Sequence, residues 1–210
     1  MYRMTNCVIF SLMIFFPAIA GEPPANSILA LQDSFDRSDL GDGWSFSKGN
    51  WRIVDGVLLG SEIAEEKHSA AIRRVVESKN AVYEVRFRFT ETAKAFHLGF
   101  DPAPGELDKR GHLFSVIVTP DSWKIQKHLD KNRREEDPNE TLAQAKASFL
   151  PGQWHSLRVT TWGNYVTARV EGKDSLRASH STFAVKKPTI VLRCMGDGIM
   201  LDDIHVWTQR

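Results

Sequence analysis

Apolar and polar residues alternate along short stretches of this chain, which is the pattern of strands that bury one face. From Tyr83 to Phe89 the apolar side chains fall at odd positions, and Glu84, Arg86 and Arg88 stand between them. Residues 96–101 repeat this period, and no long segment has the 3.6-residue period of an amphipathic helix. The chain is therefore predicted to be all-β, with strands over residues 51–54, 57–60, 82–89, 96–100, 112–118, 123–128, 154–162, 165–170, 189–194 and 199–207.

Two dipeptides mark tight turns between predicted strands. Asp55-Gly56 and Gly163-Asn164 each separate two apolar-rich runs by two residues. Such hairpin turns need positive φ, which Gly, Asn and Asp tolerate better than other residues. Turn residues recur at short intervals to the end of the chain, and this spacing is typical of an antiparallel sandwich or barrel.

Residues 129–148 break this pattern with a dense run of mixed charges between Asp130 and Pro138. One interpretation is a solvated loop with a single helical turn over residues 140–147. The other is a lid or rim above a binding face, because long loops in compact domains are often functional. Both interpretations stay open at the level of sequence.

The first 20 residues have the features of a Sec-type signal peptide. Arg3 precedes an apolar run over residues 8–16, and Ala18-Ile19-Ala20 fits a cleavage site after Ala20. The run is too short to span a bilayer as a helix, although an uncleaved anchor is the alternative. The sequence thus predicts a signal peptide at 1–20, a flexible leader at 21–30 and one domain at 31–210. The mature protein would be secreted or periplasmic, with no stable membrane insertion.

Charge and cysteine content narrow the classes of partner. Arg3 is the one charged residue before residue 21, so removing the signal leaves 26 basic residues against 26 acidic ones. A neutral chain carries no electrostatic footprint for nucleic acid. Cys7 would leave with the signal peptide, and Cys194 lies in the apolar run at 190–194, which indicates a buried structural thiol.

Several motifs spread over the chain carry a family resemblance. They are Phe35-Asp36 with Trp44, the run from Gly49 to Leu58, Gly111-His112-Leu113-Phe114 with Thr119-Pro120, the run from Pro151 to Leu157, and the closing strand from Leu201 to Trp207. With these motifs the chain resembles the 3-keto-disaccharide hydrolase domain family of the concanavalin A-like lectin/glucanase superfamily. The resemblance implies a two-sheet antiparallel jelly-roll sandwich with a curved sheet that can hold a sugar.

The resemblance also implies a secreted glycan-acting protein, a hydrolase or lyase of 3-keto-glycosides or related sugars. Retaining glucanases of this superfamily carry carboxylates at E-x-D-x-x-E spacing on one strand, which places a nucleophile and an acid on one face. This chain has no such run, and Arg86 and Arg88 follow Glu84 where the partner carboxylates would stand. The alternative function is a non-catalytic carbohydrate-binding or adhesion module, and a protein-binding domain is a third possibility.

Alternation predicts one polar face that could serve as the site. His97 and Asp101 are the candidate general bases, since one base can open a glycosidic bond beside an acidified C–H. The candidate substrate-binding residues on the same face are Glu84, Arg86, Arg88, His112, Lys124, Gln126 and His128. The competing interpretation is a solvated sheet face that carries charge without a ligand.

Neither a metal nor a cofactor is predicted. The histidines at 97, 112 and 128 could bind zinc but lack short ligand spacing. Asp202-Asp203 could hold calcium or could accept hydrogen bonds from nearby backbone N–H groups. The predicted partner is a carbohydrate, either a disaccharide or a polysaccharide.

Overall fold

The computed structural model describes residues 24–209, and this part of the chain is built almost entirely from antiparallel strands. Two short 3₁₀ helices, Ala64–Glu66 and Ser181–Ala184, interrupt them. The strands are β1 (Ser27–Asp33), β2 (Trp44–Lys48), β3 (Asn50–Val54), β4 (Val57–Ser61), β5 (Ala70–Val75), β6 (Ala81–Asp101), β7 (Phe114–Thr119), β8 (Ser122–Lys127), β9 (Glu140–Lys146), β10 (Trp154–Trp162), β11 (Tyr165–Val170), β12 (Leu176–Ser179) and β13 (Thr189–Gln209). Among the described residues no helix is long and apolar enough to cross a membrane.

The two 21-residue strands β6 and β13 pair along their whole length and run through both layers of the sandwich. In the layer that we call the back sheet, residues 81–89 of β6 lie between β10 and the second half of β13. β11 and β12 follow β10, and β4 and β1 border β13. In the front sheet, residues 92–101 of β6 pair with β7, followed by β8 and β9. The first half of β13 there pairs with β5, followed by β2.

Glycines in β13 mark the passage from one sheet to the other. The ladder between β13 and β6 shifts register between Met195 and Gly196 and again between Asp197 and Ile199. Gly196 and Gly198 have φ of 84° and 99°, and a Cβ on Gly196 would lie 2.5 Å from the carbonyl oxygen of Thr92. Bulges of this kind bend a strand and increase its twist. Glycine is therefore required where the strand changes sheet.

The core lies between the two sheets and is rich in phenylalanine. Tyr83 and Phe100 come from opposite ends of β6, yet their ring centroids are 4.7 Å apart. Phe87 and Phe96 stack with centroids 5.5 Å apart. The two halves of β6 therefore face each other across the core. Their outward-pointing side chains lie on opposite faces of the protein.

The first and last strands of the domain pair with each other. β1 pairs with β13 from Ser27 opposite Gln209 to Asp33 opposite Ile204. Residues 27–30 thus belong to the sandwich and not to the flexible leader predicted for residues 21–30, because backbone pairing with β13 orders them. The predicted signal peptide at 1–20 and its cleavage after Ala20 lie outside the described residues.

The hairpin at Asp55-Gly56 is confirmed, and both residues have positive φ. The helical turn predicted for residues 140–147 is wrong, because this segment is strand β9 and pairs with β8. A lone eight-residue helix is unstable in water without packing. The free edge of β8, in contrast, offers a ladder of backbone partners. Cys194 is buried as predicted, and burial raises the pKa of its thiol to about 12.

Candidate functional site

The structure divides the predicted polar face between the two sides of the sandwich. The front sheet or its adjoining loops hold His97, Asp101, His112, Lys124, Gln126 and His128. The back sheet holds Glu84, Arg86 and Arg88. A single face uniting all nine residues, as alternation along β6 predicts, is therefore wrong, because the strand crosses from one sheet to the other between the two groups.

The charges on the outer face of the back sheet pair with one another. Arg86 lies 3.0 Å from Asp203 and 3.6 Å from Asp202. Glu84 pairs with Arg158, and Arg88 lies over the ring of Trp154 at 4.7 Å. These internal contacts agree with the interpretation of a sheet face that carries charge without a ligand.

The side chain of Asp202 also accepts a hydrogen bond from the backbone of the next residue. Its Oδ1 accepts a hydrogen bond from the backbone N–H of Asp203 at 2.8 Å. Burial, with Asp203 nearby, raises the pKa of Asp202 to about 6. The contact agrees with the backbone-accepting role considered from sequence.

Strand register builds the front face from two rows of residues that run across the strands. The first row is Arg193, His97, Ile117 and Lys124, and the second is Val191, Gly99, Ser115 and Gln126. At Gly99, in the second row, a Cβ would lie 2.8 Å from the hydroxyl oxygen of Ser115.

At one end of these rows, Asp101, His112 and Arg193 form a hydrogen-bonded chain. The imidazole of His112 contacts Asp101 through Nδ1 and the guanidinium of Arg193 through Nε2. A guanidinium only donates, so Nε2 accepts and Nδ1–H donates to the Asp101 carboxylate. Arg73 lies 3.7 Å from the other oxygen of Asp101. This arrangement orients an imidazole by a carboxylate, as general-base sites do.

His97 and His128 lie beside this chain and are held in the neutral form. His97 is 9% exposed, and its Nδ1 has no hydrogen-bond partner among the described residues. Burial, together with the charges of Arg193 and Lys124, lowers the pKa of His97 to about 3. Burial also lowers the pKa of His128 to about 3, and its Nε2 lies 2.7 Å from the hydroxyl of Ser115. Neutral imidazoles can both donate to and accept from sugar hydroxyl groups.

These depressed pKa values predict that the protein loses stability in mild acid. The unfolded chain protonates these histidines near pH 6.5, whereas the folded protein resists until about pH 3. Their stabilisation is thus full above pH 6.5 and falls as the pH drops toward 3. Each histidine is expected to account for about 2 kcal/mol of lost stability between pH 7 and 5. Urea unfolding at both pH values measures this loss.

A His97→Gln variant is expected to reduce the difference in stability between the two pH values by about 2 kcal/mol, the share of one histidine. A His68→Gln variant, which changes an exposed imidazole, serves as the matched control and should leave the difference unchanged. An unchanged difference in the His97 variant would contradict the burial of a neutral imidazole at this position.

A cleft of about 450 Å³ opens beside Asp101 and His112. Its lining also includes Arg73, Arg110 and Lys131. Lys131 belongs to the charged segment predicted as either a solvated loop or a rim. Lys131 is the one residue of this segment that lines the cleft.

Hydrogen bonds and ion pairs hold the part of the segment around Lys131 in place. Asp130 is 1% exposed and accepts hydrogen bonds from the backbone N–H groups of Arg110 and Asn132 at 3.1 and 2.9 Å. Asp137 pairs with Lys109 at 3.1 Å and with Lys127. These contacts fix residues 130–137 against the front sheet.

Three site residues were absent from the sequence prediction. Arg193, Arg73 and Ser115 lie on the front face but were not among the candidates. Arg193 did leave a signal, because it is the one charge within the apolar run at 190–194. In the part of the chain that the structure describes, no group of three or more His, Cys, Asp or Glu side chains could hold a metal ion.

Comparisons with known proteins support the fold. No protein-family model and no curated protein sequence match the chain. The resemblance to the 3-keto-disaccharide hydrolase family is therefore not confirmed and stays a prediction.

Among solved structures, the chain is similar to SCLam, a non-specific endo-β-1,3(4)-glucanase from family GH16. The TM-score is 0.66 at 12% identity, over 90% of this chain and 94% of that one. The laminarinase from Rhodothermus marinus gives a TM-score of 0.66 at 12% identity, over 87% and 97%. The carbohydrate-binding module CBM66 from Bacillus subtilis gives 0.54 at 14% identity, over 80% and 92%. The protein thus has the jelly-roll sandwich fold of the concanavalin A-like proteins, as its sequence predicts.

Proposed function

We propose that this protein is an exported glycan-acting enzyme that cleaves 3-keto-glycosides on its front face, with His112 as the general base. The observation that carries the proposal is the chain from Asp101 through His112 to Arg193 beside an open cleft. Glucanases and a carbohydrate-binding module share the fold, which supports a glycan as the ligand. Secretion follows from the predicted signal peptide.

The chemistry needs one base, because a ketone at C3 acidifies the proton on C2. His112 Nε2 accepts the C2 proton, and the electron pair of the C–H bond moves into an enolate whose charge rests on O3. The enolate then re-forms the C3 carbonyl and expels the glycosidic oxygen from C1, leaving a C1–C2 double bond. The departing oxygen takes a proton from the imidazolium, and addition of water across the double bond completes a net hydrolysis.

Arg193 contacts the proposed base and can also stabilise the negative charge that develops on the substrate. In the free protein its guanidinium donates to His112 Nε2. When the ketone oxygen of the substrate accepts this donor instead, Nε2 becomes free to take the proton. The guanidinium is then placed to stabilise the enolate, and such donors typically contribute about 10²–10³ in rate. Asp101 acts as a positioning residue, since its carboxylate fixes the tautomer of His112.

The proposed base is thus His112, in place of His97 and Asp101, the candidates from sequence. His97 is a poor base because burial lowers the pKa of its imidazole to about 3. Its Nδ1 has no hydrogen-bond partner among the described residues, but this atom is buried and is not exposed to a ligand. Lys124 and Gln126 share its face, where they can contact a neighbouring sugar.

The test is turnover of the purified mature protein on 3-keto-disaccharides beside their unoxidised parents, followed by NMR. Release of free sugar from the keto forms alone is the expected result. Equal release from the parents would contradict an elimination that depends on the C3 ketone. No turnover of any disaccharide would overturn the enzymatic proposal.

A non-catalytic carbohydrate-binding module is the second candidate. The observation that favours it is that Arg193 occupies His112 Nε2, the atom that a base needs free. Line broadening of sugar resonances without turnover, in the same NMR samples, would support this candidate.

A further inference from the structure

The cleft beside His112 has an unbalanced charge. Its basic lining residues are Arg73, Lys109, Arg110 and Lys131, and Asp101 is its one acidic lining residue. The chain without its signal carries equal numbers of basic and acidic residues, so this excess is local. A concave site lined by one sign of charge concentrates ligands of the opposite sign.

Internal contacts neutralise only part of this positive charge. Lys109 donates to Asp137 at 3.1 Å and to the carbonyl oxygen of His128 at 2.7 Å, and Arg73 lies 3.7 Å from Asp101. Within residues 24–209, Arg110 and Lys131 have no carboxylate oxygen within 4.0 Å. Both side chains are exposed at the cleft.

The carboxylates near the cleft already form ion pairs with other basic residues. Asp130 pairs with Arg133 at 3.0 Å, and Asp108 lies 3.6 Å from the same guanidinium. Asp137 bridges Lys109 and Lys127. None of these acidic residues lines the cleft, so the positive charges of Arg110 and Lys131 are available to a ligand.

Lys131 and Arg110 flank the proposed base closely. The backbone N–H of Lys131 donates to the carbonyl oxygen of Arg110 at 2.9 Å. A Cβ on Gly111 would lie 3.4 Å from Cγ of Lys131, so the lysine side chain runs along this glycine next to His112. A ligand group in the cleft would therefore lie beside the sugar whose bond His112 opens.

We infer that the cleft binds an anionic substituent, a carboxylate or a sulfate ester. This substituent is carried by the sugar unit next to the one whose glycosidic bond His112 opens. This inference rests on the proposed function and names its substrate class, an acidic oligosaccharide. Guanidinium and ammonium groups form charge-assisted hydrogen bonds with both kinds of anion.

The experiment measures binding and not turnover, so that the inference and the proposed function can fail separately. Titration calorimetry would compare three β-1,4-linked glucose disaccharides: the neutral form, a form with a carboxylate at C6 of one unit, and a form with a sulfate at the same carbon. The imidazole NMR signals of His112 would locate the binding. At low salt, at least one anionic form is expected to bind about tenfold more tightly than the neutral form. This advantage should shrink at 0.5 M salt.

Paired variants sharpen the test. Arg110→Gln with Lys131→Gln is expected to remove most of the preference for the anion. Arg169→Gln with Lys173→Gln makes the same change of charge in a cleft on the back sheet and should leave the preference intact.

A preference for the carboxylate form would identify a uronic acid, and a preference for the sulfate form a sulfated sugar. Equal binding of all three disaccharides would overturn the inference and leave the proposed function standing. Absence of binding by all three would also overturn the inference, whereas the proposed function is tested separately by turnover of the 3-keto-disaccharides.

Discussion

Replacement of His112 by Gln is expected to lower kcat/KM for a 3-keto-disaccharide by about 10²–10⁴-fold, the usual contribution of a general base. Glutamine can still accept a hydrogen bond from Arg193, but it cannot take up a proton. The variant should therefore still bind the sugar while losing turnover. Initial rates measured by NMR, beside titration of the unoxidised disaccharide, separate the two effects.

An Arg88→Gln variant is the matched control for this experiment. Arg88 was a candidate from sequence, but it lies on the back sheet over Trp154. Its replacement should leave kcat/KM within about twofold of the native value, since it cannot reach a sugar held at His112. A large loss in the Arg88 variant with full activity in the His112 variant would move the site to the back face.

Asp101→Asn provides the finer test of the positioning role. The amide can still contact His112, but it no longer stabilises an imidazolium. We expect a smaller loss of kcat than for His112→Gln and a shift of the pH–rate profile toward lower pH, because without the neighbouring carboxylate the imidazole stays neutral, and so able to accept a proton, at lower pH. A profile that keeps its position would assign Asp101 a structural role alone.

The period of two along residues 82–89 and 96–101 identified correctly which side chains enter the core. Tyr83, Phe87 and Phe100 are all buried, as alternation predicts. The prediction succeeded because successive residues of a strand point to opposite faces of the sheet. Alternation is a local property, and it could not reveal that the two segments belong to different sheets.

The crossover depends on distant residues. The bulges at Gly196 and Gly198 bend β13 where it pairs with residues of β6 more than 100 positions away. The contact between His112 and Arg193 likewise joins positions 81 apart in the sequence. Single-sequence reasoning could therefore name the histidines of the front face but could not find the guanidinium between them.

The misassigned segment at 140–147 has a related cause. Its Ala, Gln, Lys and Leu residues favour helix by intrinsic propensity. The open edge of β8 outweighs this preference, because backbone groups at a sheet edge gain partners from an added strand. Pairing with β8 therefore determined the conformation of this segment, which its local sequence predicted poorly.

Replacement of Phe87 by Ala is expected to lower the free energy of unfolding by about 3–5 kcal/mol. Its ring is fully buried and lies 5.5 Å from Phe96, 5.6 Å from Phe89 and 5.9 Å from Phe149, measured between centroids. Truncation would leave a cavity between the two sheets, where the surrounding rings relax only in part. Domains of this kind are stabilised by only about 5–15 kcal/mol, so urea unfolding should show a much lower midpoint.

Trp162→Ala is the control for this substitution. Trp162 is 53% exposed beside the turn between β10 and β11, and its removal should change stability by less than about 1 kcal/mol. A loss that small for Phe87→Ala would mean that the two halves of β6 do not face each other across one core. The division of the predicted polar residues between front and back faces would then fail as well, because it follows from that packing.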